Sequence, residues 1–429
     1  MFVDVILTLG AALLGCFLVL RWLMACGLGL PIEDSFFDLR QRQEAAVSPR
    51  QKSLRRRETA EIFFTAFTYR LMIFLLSGLI LLFLSNEWPN LAESWLLGDS
   101  VHYVNLVEKG YSGYVEDGQH LFLVFFPLYV WITRIVAFFI GDTVYAGLLV
   151  SFVCYSAACV YLYRLAYLEM NRRAAQRTVV YLSVFPFSFF FGGMMTESLF
   201  LLTTAAALYE IRRHHWWTAG IWGMMAAMTR MHGVLLIVAA GAELMESQQF
   251  LARDGRSFCQ RLAPVLRRLV PVLLPLVGTG VYLGLNWWVD GDPFAFVTHQ
   301  EHWSQGFSWF SQTLGYVGYN AFYWEDLSGR AAIWIPQLLL FALFLAALAL
   351  CWRRFPAMYT LYAFFYLFLN YSLSWLLSGG RYLACGVPFF LFAAALTEKR
   401  PTLDRGLTAA MSALMGVYLF AWLSGASIY

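Results

Sequence analysis

Charged residues are scarce in this sequence. Asp, Glu, Lys and Arg make up 13% of the 429 residues, whereas hydrophobic residues make up 60%. Ordinary soluble domains carry about 25% charged residues, and half that share cannot cover the surface of a molecule of this size. The composition therefore excludes an average water-soluble domain and favours a protein whose solvent is the lipid bilayer.

Cysteine pairs at the spacing of metal ligands are also missing. Six of the seven cysteines lie in apolar runs: Cys16, Cys26, Cys154, Cys159, Cys351 and Cys385. We interpret them as small buried hydrophobic side chains. The net charge is only +3, so the total says nothing about a nucleic-acid or acidic partner, and the position of each charge matters more.

Long hydrophobic runs recur along the chain. A helix needs roughly 20 apolar residues to span about 30 Å of hydrocarbon. We therefore predict an all-α polytopic integral membrane protein with about twelve transmembrane helices. The predicted spans are approximately 2–24, 62–85, 143–168, 178–195, 198–212, 216–229, 232–247, 268–289, 331–351, 357–376, 381–397 and 405–425.

The positions of Lys and Arg predict the side of each loop, because basic residues concentrate in cytoplasmic loops. Basic clusters lie at 40–57, 172–177, 212–213, 253–268, 353–354 and 399–405. Loops 86–120, 192–198 and 290–330 contain few basic residues and are expected to face outward. An odd number of crossings must then separate 86–120 from Arg172, so we predict that 121–140 is a juxtamembrane or re-entrant helix on the outer side.

Polar and ionisable residues collect at the predicted outer ends of the helices. Such groups cost about 2.5–3.5 kcal/mol each within a bilayer, so they mark candidate functional sites. They are Asp99, His102 and Tyr103 in the first outer loop, Glu197, Arg230 and His232 between apolar runs, Gln300 and Trp303 in the large outer loop, and Arg381 and Tyr382 after two glycines.

These residues lie in motifs that resemble a known family. The motifs are Gly98-Asp99-Ser100-Val101-His102-Tyr103, Phe126-Pro127-Leu128-Tyr129, Thr196-Glu197-Ser198, Thr229-Arg230-Met231-His232, Gly291-Asp292-Pro293-Phe294 followed by Gln300 and Trp303, and Gly380-Arg381-Tyr382. In this order they resemble the mannosyltransferase family that includes the second mannosyltransferase of GPI-anchor synthesis, within the GT-C superfamily. The resemblance covers roughly residues 90–400, and the chain departs from the family at Gly98 and at His232.

The resemblance implies a GT-C-type fold and an integral-membrane glycosyltransferase. The implied donor is a polyprenyl-phosphate-linked hexose, with mannose expected, and the acceptor is a lipid, a glycan or a protein. Transfer would take place on the extracytoplasmic face and invert the anomeric carbon. The lipid-linked donor is a substrate, and no cofactor and no metal are expected.

Chemistry assigns roles to the candidate residues. An inverting transfer needs a general base, and Asp99 is the candidate. Arg381 and Arg230 are expected to bind the leaving lipid phosphate, because a guanidinium group matches phosphate geometry. The further candidates for binding sugar or phosphate are His102, Tyr103, Glu197, His232, Gln300, Trp303 and Tyr382.

We divide the chain into two parts. Residues 1–60 are predicted to form an extra N-terminal transmembrane helix and a basic cytoplasmic linker, which we interpret as a membrane-lipid contact rather than a nucleic-acid site. Residues 61–429 are predicted to form the GT-C-like domain, with outer loops 86–142 and 290–330. A bacterial plasma membrane is the expected location.

A polytopic transporter or a lipid-linked-sugar flippase is the alternative, since these proteins also place charges within the membrane and break their helices. The sequence shows no obvious internal repeat, and its ionisable groups collect at outer helix ends, which argues mildly against transport. A scaffold protein would not need Asp99 and Arg381 on one side. The glycosyltransferase hypothesis predicts that Asp99 and Arg381 approach one cavity.

Overall fold

The structure is a computed structural model that describes residues 2–29 and 53–428. Within these ranges the regular elements are helical, with no β-strand, so the all-α prediction is confirmed. The helices are α1 Phe2–Ala25, α2 Arg56–Ser85, α3 Ser100–Lys109, α4 Pro127–Ile140, α5 Thr143–Glu169, α6 Arg172–Val184, α7 Glu197–Arg212, α8 Trp216–Ala227, α9 Leu236–Ser247, α10 Phe258–Asp290, α11 Ala295–His299, α12 Phe310–Tyr323, α13 Leu327–Cys351, α14 Ala357–Asn370, α15 Gly379–Ala384, α16 Val387–Thr397 and α17 Pro401–Leu423.

Six helices of the described part are long and apolar enough to cross a membrane. They are α1, α2, α5, α10, α13 and α17. The polytopic membrane architecture is therefore confirmed, and six of the about twelve predicted spans are helices of this length among the described residues. The other six predicted spans are short or broken helices.

The predicted span 178–195 shows why such runs break. α6 ends at Val184, and a 3-10 turn at Ser188–Gly192 follows. Pro186 causes this end, because proline disfavours the helical conformation of the residue before it and donates no backbone hydrogen bond. The predicted span 381–397 is likewise two helices, α15 and α16, because the chain leaves the helical conformation at Cys385 and Gly386.

α7 lies at the centre of the described part. Every residue of this helix except Glu210 is buried, as expected for a helix that is apolar on all sides. It packs against α5 on one side and α8 on another, and α8 in turn packs against α10. Glu197 at the start of α7 and Arg212 at its end are thus buried at opposite ends of the protein core.

Two glycines permit the close packing of α8 and α10. A Cβ atom on Gly220 would lie 2.2 Å from the Pro271 carbonyl oxygen, and one on Gly278 would lie 2.2 Å from the Met224 carbonyl oxygen. Small residues let helix backbones approach in this way in membrane proteins. The distance between α8 and α10 therefore depends on these glycines.

The N-terminal helix packs on the rest of the protein. α1 contacts α12 and α14, and Arg21 Nη1 donates a hydrogen bond to the Phe355 carbonyl oxygen at 2.9 Å. Residues 40–52 of the predicted basic linker lie outside the described residues. The predicted outer helix at 121–140 is a 3-10 turn followed by α4, whose 14 residues extend about 21 Å and are too short to span a bilayer.

Candidate active site

Four charged side chains from distant parts of the sequence meet at one place. Asp99 comes from the residue before α3, Glu197 from the first turn of α7, Arg230 from the turn between α8 and α9, and Arg381 from α15. We call these four residues the charge cluster. The sequence predicted all four as candidate site residues, and the structure brings them together.

Glu197 links the two arginines of the charge cluster. Arg381 Nε and Arg230 Nη2 both donate to Glu197 Oε1. Arg381 also pairs through Nη1 with Asp99 Oδ2 at 2.7 Å, and Arg230 Nε donates to the Thr196 hydroxyl at 2.9 Å. Two carboxylates thus balance two guanidinium groups, and the charge cluster carries no formal net charge.

Burial within the charge cluster increases away from Asp99. The side chain of Asp99 is 39% exposed, those of Arg230 and Arg381 are 13% and 7% exposed, and that of Glu197 is fully buried. Glu197 Oε2 has no hydrogen-bond partner among the described residues. Asp99 is therefore the member that a molecule from outside reaches first, with the arginines behind it.

Asp99 carries a negative charge at neutral pH. Burial by itself raises the pKa of this carboxyl, but the Arg381 guanidinium, together with His102 and Arg230, holds the pKa below the ordinary value for aspartate. Asp99 is thus available as a proton acceptor, although its basicity is reduced for as long as Arg381 is bound to it.

The glycines before Arg381 have a packing role. A Cβ atom on Gly380 would lie 2.4 Å from the Phe187 ring, and one on Gly379 would lie 2.7 Å from Gln337 Oε1. The close neighbours of both glycines are thus the protein's own side chains. This packing places the Arg381 guanidinium 5.4 Å from the Phe190 ring.

Aromatic rings surround the Arg230 side of the charge cluster. The Arg230 guanidinium lies 5.3 Å from the centre of the Tyr382 ring, within the range of a cation–π interaction. His232 lies beside Tyr366 at 5.4 Å between ring centres, and its Nε2 is buried without a hydrogen-bond partner among the described residues. Tyr382 thus contacts the charge cluster, and His232, the other candidate on this side, contacts Tyr366.

A second aromatic group lies on the Asp99 side. His102 stacks on Phe122 at 4.6 Å, its Nδ1 lies 3.0 Å from the Tyr114 hydroxyl, and Trp303 packs edge-on against Phe122 at 6.0 Å. Burial lowers the pKa of His102, although Asp99 opposes this effect, so the ring is neutral at pH 7. We call His102, Tyr114, Phe122 and Trp303 the aromatic wall.

Tyr103 joins the aromatic wall to the charge cluster. Its ring packs between Phe125 at 4.9 Å and Tyr129 at 5.3 Å. Burial raises the pKa of Tyr103, and the neighbouring Asp99 and Glu197 carboxylates raise it further. The hydroxyl therefore stays protonated and can donate a hydrogen bond.

The segment with Gln300 and Trp303 is held in place by Asp290, the last residue of α10. One carboxylate oxygen of Asp290 lies 2.8 Å from His120 Nδ1, and the other lies 2.6 Å from His299 Nε2. Gln300 forms no side-chain hydrogen bond or ion pair with the charge cluster in the ranges that the structure describes.

Some neighbours of the charge cluster were not predicted from the sequence. Tyr366 donates a hydrogen bond to the Tyr382 carbonyl oxygen at 2.7 Å, and Phe190 lies against Arg381. Both are aromatic residues inside apolar runs, and nothing in the sequence distinguishes them from other core residues. Thr196 could have been inferred from its position directly before Glu197.

Part of the chain matches one protein family. Residues 126–273 fit the family described as dolichyl-phosphate-mannose-protein mannosyltransferase. The match covers about one third of the chain; it includes Glu197 and Arg230 and excludes Asp99 and Arg381. A comparison with curated protein sequences gives no match.

The chain also has a distant likeness to three solved structures. ArnT from Cupriavidus metallidurans bound to undecaprenyl phosphate is 15% identical with a TM-score of 0.48, over 84% of this chain and 66% of that one. The oligosaccharyltransferase AglB from Archaeoglobus fulgidus, in complex with an inhibitory peptide and a dolichol-phosphate, is 13% identical with a TM-score of 0.40, over 83% of this chain and 55% of that one. An Archaeoglobus fulgidus oligosaccharyltransferase complex with Zn and sulfate is 12% identical with a TM-score of 0.42, over 82% and 52%. The chain thus spans less than two thirds of the length of each.

Proposed function

We propose that this protein is a membrane glycosyltransferase of the GT-C type. It would transfer a hexose, with mannose the expected sugar, from a polyprenyl-phosphate donor to a lipid, glycan or protein acceptor on the extracytoplasmic face. The observation that carries the proposal is the contact between Asp99, the most exposed member of the charge cluster, and Arg381 behind it. The family match of residues 126–273 supports the same reaction class.

Asp99 acts as the general base in this proposal. It accepts the proton of the acceptor hydroxyl as the hydroxyl oxygen forms a bond to the anomeric carbon of the sugar. The bond between the anomeric carbon and the lipid-phosphate oxygen breaks on the opposite face, and its electron pair leaves with the phosphate. The anomeric configuration is therefore inverted.

Arg381 and Arg230 bind the leaving phosphate. Guanidinium groups bind phosphate through paired, charge-assisted hydrogen bonds, and such bonds are stronger in a site with little water. A phosphate that takes over the Arg381 contact would release Asp99 from its ion pair, and the pKa of Asp99 would rise. Donor binding would thus make Asp99 a better base at the moment when the base is needed.

The remaining candidates position or bind the substrates. Glu197 holds the two guanidinium groups side by side, and Tyr382 packs against Arg230. The aromatic wall, with Tyr103, offers ring faces and polar edges that suit a sugar. His232 and Gln300 stay candidates for hydrogen bonds to the sugar or the phosphate.

The proposal extends to the setting of the reaction. The two arginines provide the cations that the leaving phosphate needs, so we propose that neither a metal nor a cofactor takes part. We place the enzyme in a bacterial plasma membrane and, among mannosyltransferases, near the family of the second GPI mannosyltransferase. The basic linker would contact membrane lipid and not nucleic acid.

The direct test supplies purified protein in detergent with a short-chain polyprenyl-phosphate-mannose and follows donor consumption and the configuration of the product. We expect mannose transfer with inversion. A polyprenyl-phosphate-glucose of the same chain length shows whether the protein distinguishes mannose from glucose. Consumption of neither donor by an intact, folded protein would contradict the proposal. Movement of the donor across vesicle membranes without cleavage would instead support a flippase.

A further inference from the structure

A groove outside the charge cluster lies between the end of α3, the middle of α4 and the end of α10. Its volume is about 330 Å³, and its lining includes Leu106, Lys109, Trp131, Arg134, Leu285 and Trp288. α3 connects the two places, with Asp99 before its first residue and Lys109 as its last. Ten residues of helix extend about 15 Å, so the groove is within the reach of a glycan from the candidate active site.

Two cations border this groove. Arg134 donates from Nε to the Val107 carbonyl oxygen at 2.7 Å and from Nη2 to the Glu108 carbonyl oxygen at 3.3 Å. The Lys109 ammonium lies 5.2 Å from the centre of the Tyr114 ring. Within residues 2–29 and 53–428, neither cation forms an ion pair with a carboxylate.

The turn after α3 lies directly beside the Arg134 side chain. Gly110 has a φ of +74°, a backbone conformation that favours glycine. A Cβ atom there would lie 3.4 Å from Arg134 Nη2, in van der Waals contact with the guanidinium. The Arg134 guanidinium lines the groove, and its Nη1 group has no hydrogen-bond partner among the described residues.

The other lining of the groove is apolar and faces outward. Trp288 is 83% exposed and Trp131 is 37% exposed, and both lie beside the two cations. α10 is one of the helices long enough to cross a membrane, and the groove lies at its end. Exposed tryptophan next to Lys and Arg is typical of the level of the lipid head groups.

We propose that this groove binds the phosphate-bearing head group of a lipid, with Lys109 and Arg134 contacting the phosphate and Trp131 and Trp288 contacting the start of the acyl or prenyl chain. This lipid is a second one, separate from the donor whose phosphate Arg381 and Arg230 bind. The inference depends on the proposed function in one respect: it makes this lipid the acceptor, which presents its hydroxyl toward Asp99.

Photolabelling tests the proposal. The probe is a long-chain alkyl phosphate with a diazirine near the head group, mixed with the full chain in detergent micelles. We expect labelling of α4 and the end of α10, reduced about fivefold in Lys109→Gln, since one cation near an anionic lipid contributes about that factor. Lys399→Gln removes an exposed lysine far from the groove and should label like the wild type.

Two further samples separate the alternatives. An uncharged alcohol with the same chain should label these helices weakly, and excess inorganic phosphate should not displace the lipid probe. Equal labelling by the alcohol, displacement by inorganic phosphate, or no effect of Lys109→Gln would each overturn the proposal. Asp99→Asn should lose transfer and keep the labelling, so failure of the groove and failure of the proposed function are distinguishable.

Discussion

At the scale of single residues, Arg381 decides how the charge cluster behaves, because it is shared between Asp99 and Glu197. The bond to Asp99 keeps the base ionised, and the bond to Glu197 keeps the guanidinium in the site. A fully buried carboxylate such as Glu197 is tolerated in the folded protein only while the arginines that pair with it are present.

The pH dependence of transfer follows from the lowered pKa of Asp99. Burial is the largest single influence and raises this pKa, but Arg381, His102 and Arg230 together lower it by more, so the net direction is downward. The ionised Asp99 carboxylate therefore makes its full contribution to the free energy of unfolding above the ordinary pKa of aspartate, about 3.9. This contribution is lost only as the pH falls through the lower pKa of Asp99 in the folded protein. We expect kcat/KM to stay constant down to about pH 4. An acidic loss centred at pH 5 or above would contradict the assignment of Asp99 as the base.

Replacement of Glu197 tests its positioning role. Glu197→Gln leaves two buried guanidinium groups with one carboxylate, and breaking a buried pair costs about 3–5 kcal/mol. We expect a lower melting temperature and, in the surviving folded protein, a raised KM for the donor. Glu116→Gln, at an exposed carboxylate in the first outer loop, is the control and should match the wild type. Unchanged stability in Glu197→Gln would mean that the linked ion pairs are not formed.

The sequence could predict the charged residues of this site but not its aromatic neighbours. Asp99, Glu197 and Arg381 attract notice because charges at the ends of apolar helices are rare and costly. Tyr366 and Phe190 lie in apolar runs where an aromatic side chain is ordinary, so only the folded structure shows that they border the charge cluster.

At the scale of helices, the contact between α8 and α10 depends on glycine at two positions, Gly220 and Gly278. Gly220→Ala would place a Cβ atom 2.2 Å from the Pro271 carbonyl oxygen, so the two backbones must separate. We expect a clear decrease in melting temperature. Gly284→Ala on α10 is the matched control, because nothing lies within 4 Å of its Cβ position. Equal melting temperatures for the two variants would contradict the packing described here.

The long helices could be predicted from hydrophobic runs, whereas the broken ones could not. α2 and α5 end close to the predicted boundaries because polar residues end the apolar runs there. In 178–195 and 381–397 the run continues through Pro186 and Gly386 although the helix does not. Hydropathy therefore does not distinguish a continuous helix from a broken one. Broken helices are tolerated at membrane depth only where they contact protein or water.

At the scale of the whole molecule, α7 separates two buried groups of charges. Glu197 at one end belongs to the charge cluster; Arg212 at the other end pairs with Glu169 at 2.5 Å and with Glu243 at 2.6 Å. The distribution of Lys and Arg predicts that the Glu197 end faces outward.

Cysteine labelling in intact cells tests this orientation. Cys16 and Cys259 are the exposed cysteines among the described residues, so replacing both by alanine gives a background of low reactivity. In that background Asp117→Cys should react with a membrane-impermeant maleimide, whereas Arg253→Cys should react only after permeabilisation. The reverse pattern would contradict the proposed extracytoplasmic site.

The most direct measurement compares Asp99→Asn with Asp117→Asn in mannose transfer from polyprenyl-phosphate-mannose. Asp117 is exposed in the same outer loop and has a positive φ that asparagine also accepts, so its variant is a matched control. The account predicts that Asp117→Asn transfers like the wild type, while Asp99→Asn still binds the donor and loses transfer by at least about 100-fold, the usual contribution of a general base. Equal transfer by Asp99→Asn and the wild type would contradict the account.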